Sequence, residues 1–318
     1  MALIGYGNVA KAFARLVHKK QSAYPFRIVG VHTRQHGTAY GTAGLGVEPE
    51  FGPAAHSVEE FLDRTRPDVA IEATTLNPEN GEPAMSHIRA AFQRHIHVIT
   101  ANKGPIAHGY ALLCAEAGMA QAEFRFESTV MDGAPVFNMV RNNLPGVTIH
   151  GFTGVLNSTS KIAVAAMQRG LTMEEGVREA QALGIAEADA SYDLDGWDSA
   201  AKTAALANVL MDARVTPRQV DRRGIREFTT DKALELERNG QTLMLVSRGE
   251  RDAGGLRLQV RPEVIAMADV LASARGTSNL LLLHTDLMGT IGTISMNPGV
   301  EQTAYGLFSD LVDIARSV

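Results

Sequence analysis

The chain has 318 residues, 45% of them apolar and 20% charged, with 30 Lys and Arg against 35 Asp and Glu for a net charge of −5. That apolar content is enough to offset the entropy of ordering and excludes a disordered chain, while the acidity and the lack of basic runs exclude nucleic acid as the main partner. No stretch nears the roughly 18 consecutive apolar residues that cross a bilayer, so no membrane partner is expected.

At about 150 residues per domain the length points to two domains. No signal peptide is visible, and the single Cys114 cannot form an internal disulfide; it reads as a buried core thiol in a reducing, cytoplasmic protein. Along the first third, short apolar runs alternate with segments of helical period. ALIGYG (2–7) is predicted as a strand and NVAKAFARLVHKK (8–20) as a helix. FRIVGVHT (26–33) is a second strand, SVEEFLDRT (57–65) a helix and DVAIEAT (68–74) a third strand. Ser57 and Glu60 have capping-box spacing at that helix start. A helix (83–94), a strand (95–101), a helix (109–118) and a strand (123–129) complete the series. Strands alternating with helices imply parallel pairing and a doubly wound sheet.

After residue 135 the pattern changes. A helix near 135–143 and a strand at 147–157 precede helices at 158–169, 173–183 and 198–212. Strands at 242–250, 255–263 and 279–286 follow, then an amphipathic helix at 303–318. Runs of helix followed by runs of strand describe an α+β domain. The expected boundaries are 1–134 for the first domain, joined by 298–318, and 135–297 for the second.

Gly5-Tyr6-Gly7-Asn8-Val9-Ala10 follows the first strand and opens the first helix, the G-x-G-x-x-A turn of a dinucleotide-binding unit. Gly5 permits the tight turn, Gly7 lets backbone approach a pyrophosphate, and Ala10 allows close helix–strand packing. The helix N-terminus, at Asn8 and Val9, offers unpaired N–H groups to the phosphates. No acidic residue ends the second strand, where one would hold a ribose 2′-hydroxyl; Thr33 and Arg34 stand there instead. Meeting a 2′-phosphate, they tilt the reading toward NADP over NAD; the alternative for Arg34 is a solvated loop charge.

Lys103 lies at the carboxyl end of the 95–101 strand, in HIHVITANKGPIA, where open α/β sheets bind ligands. A lysine there can donate to a polarised oxygen or shuttle a proton, although alone it is more often a surface charge. His95 and His97 have H-x-H spacing but lack a third ligand, so they read as strand side chains.

The stretch GIAEADASYDLDGWDSAAKTAALANVL (184–210) places Glu187, Asp189, Asp193, Asp195 and Asp198 within twelve residues, followed by Lys202. An EF-hand registered on Gly196 would need Glu at the position Lys202 occupies, which rejects a calcium loop. Asp198 and Lys202 are i, i+4 neighbours on one helix face. An N-cap with a surface ion pair is the plain alternative, but the small apolar helix body marks close packing and favours an acid/base pair.

These ordered motifs resemble the homoserine dehydrogenase family over nearly its full catalytic portion. They are GYGNVA, GEPAMSHIRAAFQRHIHVITANKGPIA, FESTV, GVLNSTSKI, AEADASYDLDGWDSAAK, RPEVI and NPGVEQTAYGLFSDLVDIA. The resemblance implies reversible reduction of aspartate 4-semialdehyde to homoserine with NAD(P)H. It implies a Rossmann-like nucleotide domain and a second domain for substrate binding and dimerisation, hence a homodimer. It implies Lys103 and Lys202 at the reacting carbonyl, Asp198 pairing with them or holding the substrate hydroxyl, and Glu187 and Asp193 on the substrate ammonium. Ser158 and Thr159 would line the substrate, and Thr74 and Thr75, with Lys103, the nicotinamide side. A monovalent cation such as Na⁺ would bind the segment of Glu127, Val130, Asp132 and Ala134.

Some positions depart from the family pattern. STVMDGAP follows Phe126-Glu127 in place of a glycine-rich run, and Glu301 stands where a glycine is usual near the cofactor. The chain ends at Val318, so neither a regulatory ACT domain nor threonine feedback through one is expected. Two rivals stand beside this reading: a dehydrogenase of the same scaffold acting on another amino-alcohol or oxo-acid, and a nucleotide-binding sensor without turnover. The ammonium-binding and lysine positions argue against both.

Overall fold

The computed structural model describes residues 1–317; Val318, the last residue of the predicted C-terminal helix, lies outside the described residues. The chain divides into two compact units, Met1–Phe137 with the segment from Gly299 onward, and Asn138–Pro298.

The first unit opens with β1 (Ala2–Ile4), α1 (Asn8–Lys20), β2 (Gly30–Thr33) and β3 (Gly37–Tyr40). It continues through α2 (Val58–Thr65), β4 (Val69–Glu72), α3 (Ala84–Phe92), β5 (His97–Thr100), α4 (Lys103–Met119) and β6 (Phe124–Arg125). Strand order is β3-β2-β1-β4-β5-β6, with β2, β1, β4, β5 and β6 parallel. Winding runs one way from β1 to β2 and the other way from β4 onward, which puts a topological switch between β1 and β4. Ligands of open α/β sheets bind beyond the strand ends at such a point.

β3 escaped the sequence reading and pairs antiparallel with β2. Residues 34–36 are too few for a crossover, so the chain can only turn back as a hairpin. Two other predictions shift. The helix expected at 109–118 starts at Lys103, because Asn102 caps it and accepts from Gly104 N at 3.0 Å. Cys114, expected in the core, is only half-buried. One residue turns a helix by about 100°, so Leu113 and Ala117 face inward and Cys114 sits on the flank.

The second unit takes in most of α5 (Phe137–Asn143), then β7 (Ile149–Val155), α6 (Ser158–Gln168), α7 (Met173–Ala182), α8 (Ser191–Leu194) and α9 (Trp197–Leu210). β8 (Asp221–Arg222), α10 (Thr230–Arg238), β9 (Gln241–Asp252), β10 (Gly255–Ala266), β11 (Asn279–Thr285) and β12 (Thr290–Ser295) complete it. Its sheet runs β12-β11-β7-β9-β10-β8, antiparallel except where β8 joins β10. Helices α6, α9 and α10 pack on β9. Sequence periodicity missed α8, α10 and β12: α8 is one turn, α10 carries only Ala233 and Leu236 inward, and β12 is interrupted by Gly292.

The chain then returns to the first unit as α11 (Val300–Ser317). Its Ala304, Leu307, Leu311 and Ile314 pack with Ala10, Phe13 and Val17 of α1 over Leu3, Val31, Ile71 and Ile99 of the sheet. Among the described residues no helix is long and apolar enough to cross a membrane.

Candidate active site

In the first unit the glycine turn meets the stated geometry. Gly5 has φ +94°, and a Cβ there would lie 2.5 Å from the carbonyl oxygen of Ala73 just beyond β4. Only glycine lets β1 and β4 converge at the switch point. Gly7 differs: a Cβ there would meet nothing within 4 Å, so protein packing does not call for its bare Cα. Gly7 caps α1 without a side-chain hydrogen bond, which leaves the helix N-terminus at Asn8 and Val9 with donors for an anion. Ala10 is fully buried against the sheet. The Tyr6 hydroxyl donates to Val47 O at 2.5 Å, and its ring packs edge-on to Phe51, tying the loop after β3 to the glycine turn.

At the end of β2, Thr33 is buried and spends its hydroxyl on the hairpin, donating to Gly37 O at 3.2 Å and accepting from His36 N at 2.8 Å. Arg34 sits exposed at the tip of that turn. Of the two candidates for a 2′-phosphate, Arg34 alone faces solvent. Glu301, in the first turn of α11, lies 4.0 Å from Arg15 of α1, both mostly exposed.

The ends of β4 and β5 are cross-linked. Glu72, the last residue of β4, is 1% exposed and accepts from Thr74 N at 2.9 Å, from the Thr74 hydroxyl, and from the Thr100 hydroxyl at 2.7 Å. Thr100 Oγ1 in turn accepts from Asn102 N at 2.9 Å, and Asn102 Nδ2 donates to Thr74 O at 3.4 Å. Burial pushes the Glu72 carboxyl above the ordinary carboxylate range, against the pull of these donors. Lys103, half-buried, is the first residue of α4, and Thr75 is exposed on the neighbouring loop. His95 Nδ1 pairs with Ala120 O at 2.9 Å and His97 Nδ1 accepts from Glu123 N at 2.9 Å, so both rings serve the backbone. Among the described residues no group of three or more His, Cys, Asp or Glu is arranged to hold a metal ion.

Glu127 follows β6 in a single turn of 3₁₀ helix. Its carboxylate accepts from Val136 N at 2.6 Å and Phe137 N at 3.0 Å, which closes the loop carrying Val130, Asp132 and Ala134. Asp310 Oδ2 accepts from Glu127 N at 2.8 Å.

The second unit gathers the acidic block around one asparagine. Asn157 caps α6, its Oδ1 accepting from Ser160 N at 2.8 Å. Its Nδ2 donates both hydrogens, to Asp193 Oδ1 at 2.7 Å and to Asp198 Oδ2 at 2.9 Å. The Thr159 hydroxyl donates to the other oxygen of Asp193 at 2.8 Å. Gly196, at φ +80°, breaks the chain between α8 and α9, so that Asp193 from one and Asp198 from the other reach the same amide. Lys202, one turn along α9, lies 3.2 Å from Asp198 Oδ2 and donates to Leu156 O at 2.6 Å. Burial and the adjacent Asp198 push the Asp193 carboxyl above its ordinary range. The neighbouring Tyr192 hydroxyl is buried without a hydrogen-bond partner among the described residues, and burial with the two carboxylates pushes its pKa up.

Two predicted residues stand apart. Ser158 donates to Thr277 O at 3.3 Å, and Glu187 is exposed on the loop before α8, outside the network of Asn157, Asp193, Asp198 and Lys202. Asn157 and Glu72 escaped the sequence reading. The one signal for Asn157 was its place just before the helix carrying Ser158 and Thr159; Glu72 looked like any strand residue.

The family model described as homoserine dehydrogenase matches residues 135–312, and that described as its NAD binding domain matches residues 5–127. A NAD(+)-dependent homoserine dehydrogenase of Pseudomonas canavaninivorans is 34% identical over 100% of this chain and 96% of its own length. A homoserine dehydrogenase of Methanocaldococcus jannaschii is 31% identical over 99% of this chain and 98% of its own. Among solved structures, a hyperthermophilic archaeal homoserine dehydrogenase in complex with NADPH superposes with a TM-score of 0.83 at 25% identity, covering 100% of this chain and 97% of that one.

Proposed function

This chain belongs to the homoserine dehydrogenase family, NAD(P)-dependent oxidoreductases that interconvert homoserine and aspartate 4-semialdehyde, and we propose which of its residues carry the reaction. The second unit holds the amino-acid substrate. Asp193, Asp198 and Lys202 sum to one net negative charge in a partly dehydrated setting, the complement of a substrate ammonium. The Asp193 carboxyl, fixed at both oxygens and pushed above its ordinary range by burial and Asp198 against the pull of Lys202, gains from a further cation that arrives. This observation carries the assignment. Thr159 and Asn157 fix both Asp193 oxygens, while Ser158 and Glu187 border the same segment.

The residues of the first unit would hold the nicotinamide nucleotide, whose chemistry would be to supply or accept the hydride. The fit there rests on Gly7 and the uncapped start of α1, which leave room and donors for a pyrophosphate. Asn8, Val9 and Ala10 line it, with Thr74, Thr75 and Lys103 on the nicotinamide side. As the aldehyde oxygen gains charge, Lys202 donates the proton; Asp198 and Leu156 O hold its ammonium in place. Lys103, the first residue of α4, is assigned as the second lysine of the reaction.

Finer assignments belong to the same proposal. Arg34 reads a 2′-phosphate, which gives NADP the advantage over NAD, and Glu301 tunes that side of the nucleotide site. Glu127, Val130, Asp132 and Ala134 offer an all-oxygen set of carboxylates and carbonyls, the donor type that a monovalent cation such as Na⁺ takes. The protein works in the cytoplasm as a homodimer joined through the second unit.

The test is a spectrophotometric assay of homoserine oxidation with NAD and with NADP. The wild-type chain turns over, whereas Lys202→Ala loses at least about a hundredfold in kcat with nucleotide affinity unchanged. Undiminished turnover in that variant removes Lys202 from the mechanism.

A further inference from the structure

We infer that Glu72 is a positioning residue for Lys103, acting through a hydrogen-bonded ring that joins the ends of β4 and β5. The inference rests on the assignment of Lys103 above and deepens it. The ring closes through four residues. The Glu72 carboxylate accepts from Thr100 Oγ1, which accepts from Asn102 N; Asn102 Nδ2 donates to Thr74 O, and Thr74 returns to Glu72 through both its N–H and its hydroxyl. Asn102 also caps α4 by accepting from Gly104 N, and Lys103 is the residue between them. The direction of the first turn of α4, and with it the root of the Lys103 side chain, is therefore set by where Thr100 and Thr74 are held.

A purely structural role accounts poorly for a carboxylate at this place. Glu72 is 1% exposed, and its partners among the described residues, Thr74 and Thr100, are uncharged, so it is not one half of an ion pair. Burying a charge without a cation is unfavourable, and an apolar residue would close the strand end without that cost. What the carboxylate supplies is acceptor capacity. Three donors converge on two oxygens, and every one of them belongs to the loop after β4 or to the last residue of β5. A neutral amide of the same shape keeps one acceptor oxygen, for Thr74, and turns an N–H toward Thr100, whose hydroxyl must then accept instead of donate; the charge-assisted bond is lost and the ring loosens at that point. Reacting groups must be held to within a fraction of an ångström, so slack in this ring reaches the lysine as lost orientation.

The experiment is a double-mutant cycle on homoserine oxidation, with nucleotide affinity measured separately by titration. Glu72→Gln lowers kcat at least about tenfold while the Kd for nucleotide moves less than about threefold; combined with Lys103→Ala it adds less than about twofold to the loss from Lys103→Ala alone. A merely structural role lowers both backgrounds equally. Thr100→Val, which removes the hydroxyl at constant shape, repeats the pattern, and Thr100→Ser restores wild-type turnover; this pair carries the test if Glu72→Gln does not fold. An equal loss in both backgrounds, or unchanged kcat in Glu72→Gln beside an inactive Lys103→Ala, overturns the inference and leaves the Lys103 assignment standing. Wild-type turnover by Lys103→Ala overturns that assignment and this inference with it.

Discussion

Asp193 is set to respond to pH. Burial and the adjacent Asp198 place its pKa above the ordinary 3.8, so its charge is present above that raised value and is lost as pH falls through it. The neutral acid offers a substrate ammonium no charge. The KM for homoserine therefore rises as pH drops through this window, whereas Asp193→Asn has a high KM that stays flat there. Parallel profiles for the two proteins would exclude Asp193 from ammonium binding. Arg34 allows a second residue-level test. It sits exposed beside a Thr33 hydroxyl already committed to the hairpin, so Arg34→Ala should weaken NADP(H) by about tenfold and NAD(H) by less than about twofold, measured by fluorescence titration. Equal losses would show a solvated loop charge. Lys202 and Asp198 could be paired from spacing alone, because a helix puts i and i+4 on one face. Asn157 could not be assigned this way, since its partners lie 36 and 41 residues away.

The turn between β1 and α1 separates two uses of glycine. Gly5 is demanded by the protein, through its φ of +94° and the carbonyl of Ala73; Gly7 faces open space. Gly5→Ala should lower unfolding stability by about 1–3 kcal/mol in a denaturant melt. Gly7→Ala should leave that midpoint within about 0.5 kcal/mol yet weaken nucleotide binding several-fold, because its methyl occupies the space assigned to the pyrophosphate. A Gly7→Ala protein with full nucleotide affinity would place the phosphates elsewhere. Element boundaries were legible where local rules act, as at Ser57, whose side chain accepts from Glu60 N at 3.2 Å. They were not legible at β3 or α8. A hairpin strand of four residues and a single helical turn are too short to show a period, and they hold their form through packing partners, β2 for the one and α6 and α9 for the other.

At the scale of the molecule, the proposed homodimer is open to light scattering. Val264 on β10, Ile294 on β12 and the following Met296 are exposed apolar side chains of the second unit. Burial against a second copy would be favourable at about 25 cal/mol per Å². A monomer mass at assay concentration refutes the dimer. By itself the sequence determined the alternation of strand and helix, the glycine turn, the strand-end lysine and the acidic block, because each is written in the spacing of near neighbours. Only the tertiary structure decided that Asn157 would bridge two carboxylates, that Glu187 would stand outside them, and that Glu72 would tie β4 to β5. Those outcomes depend on strand register and on which element ends come together, and no local period records them.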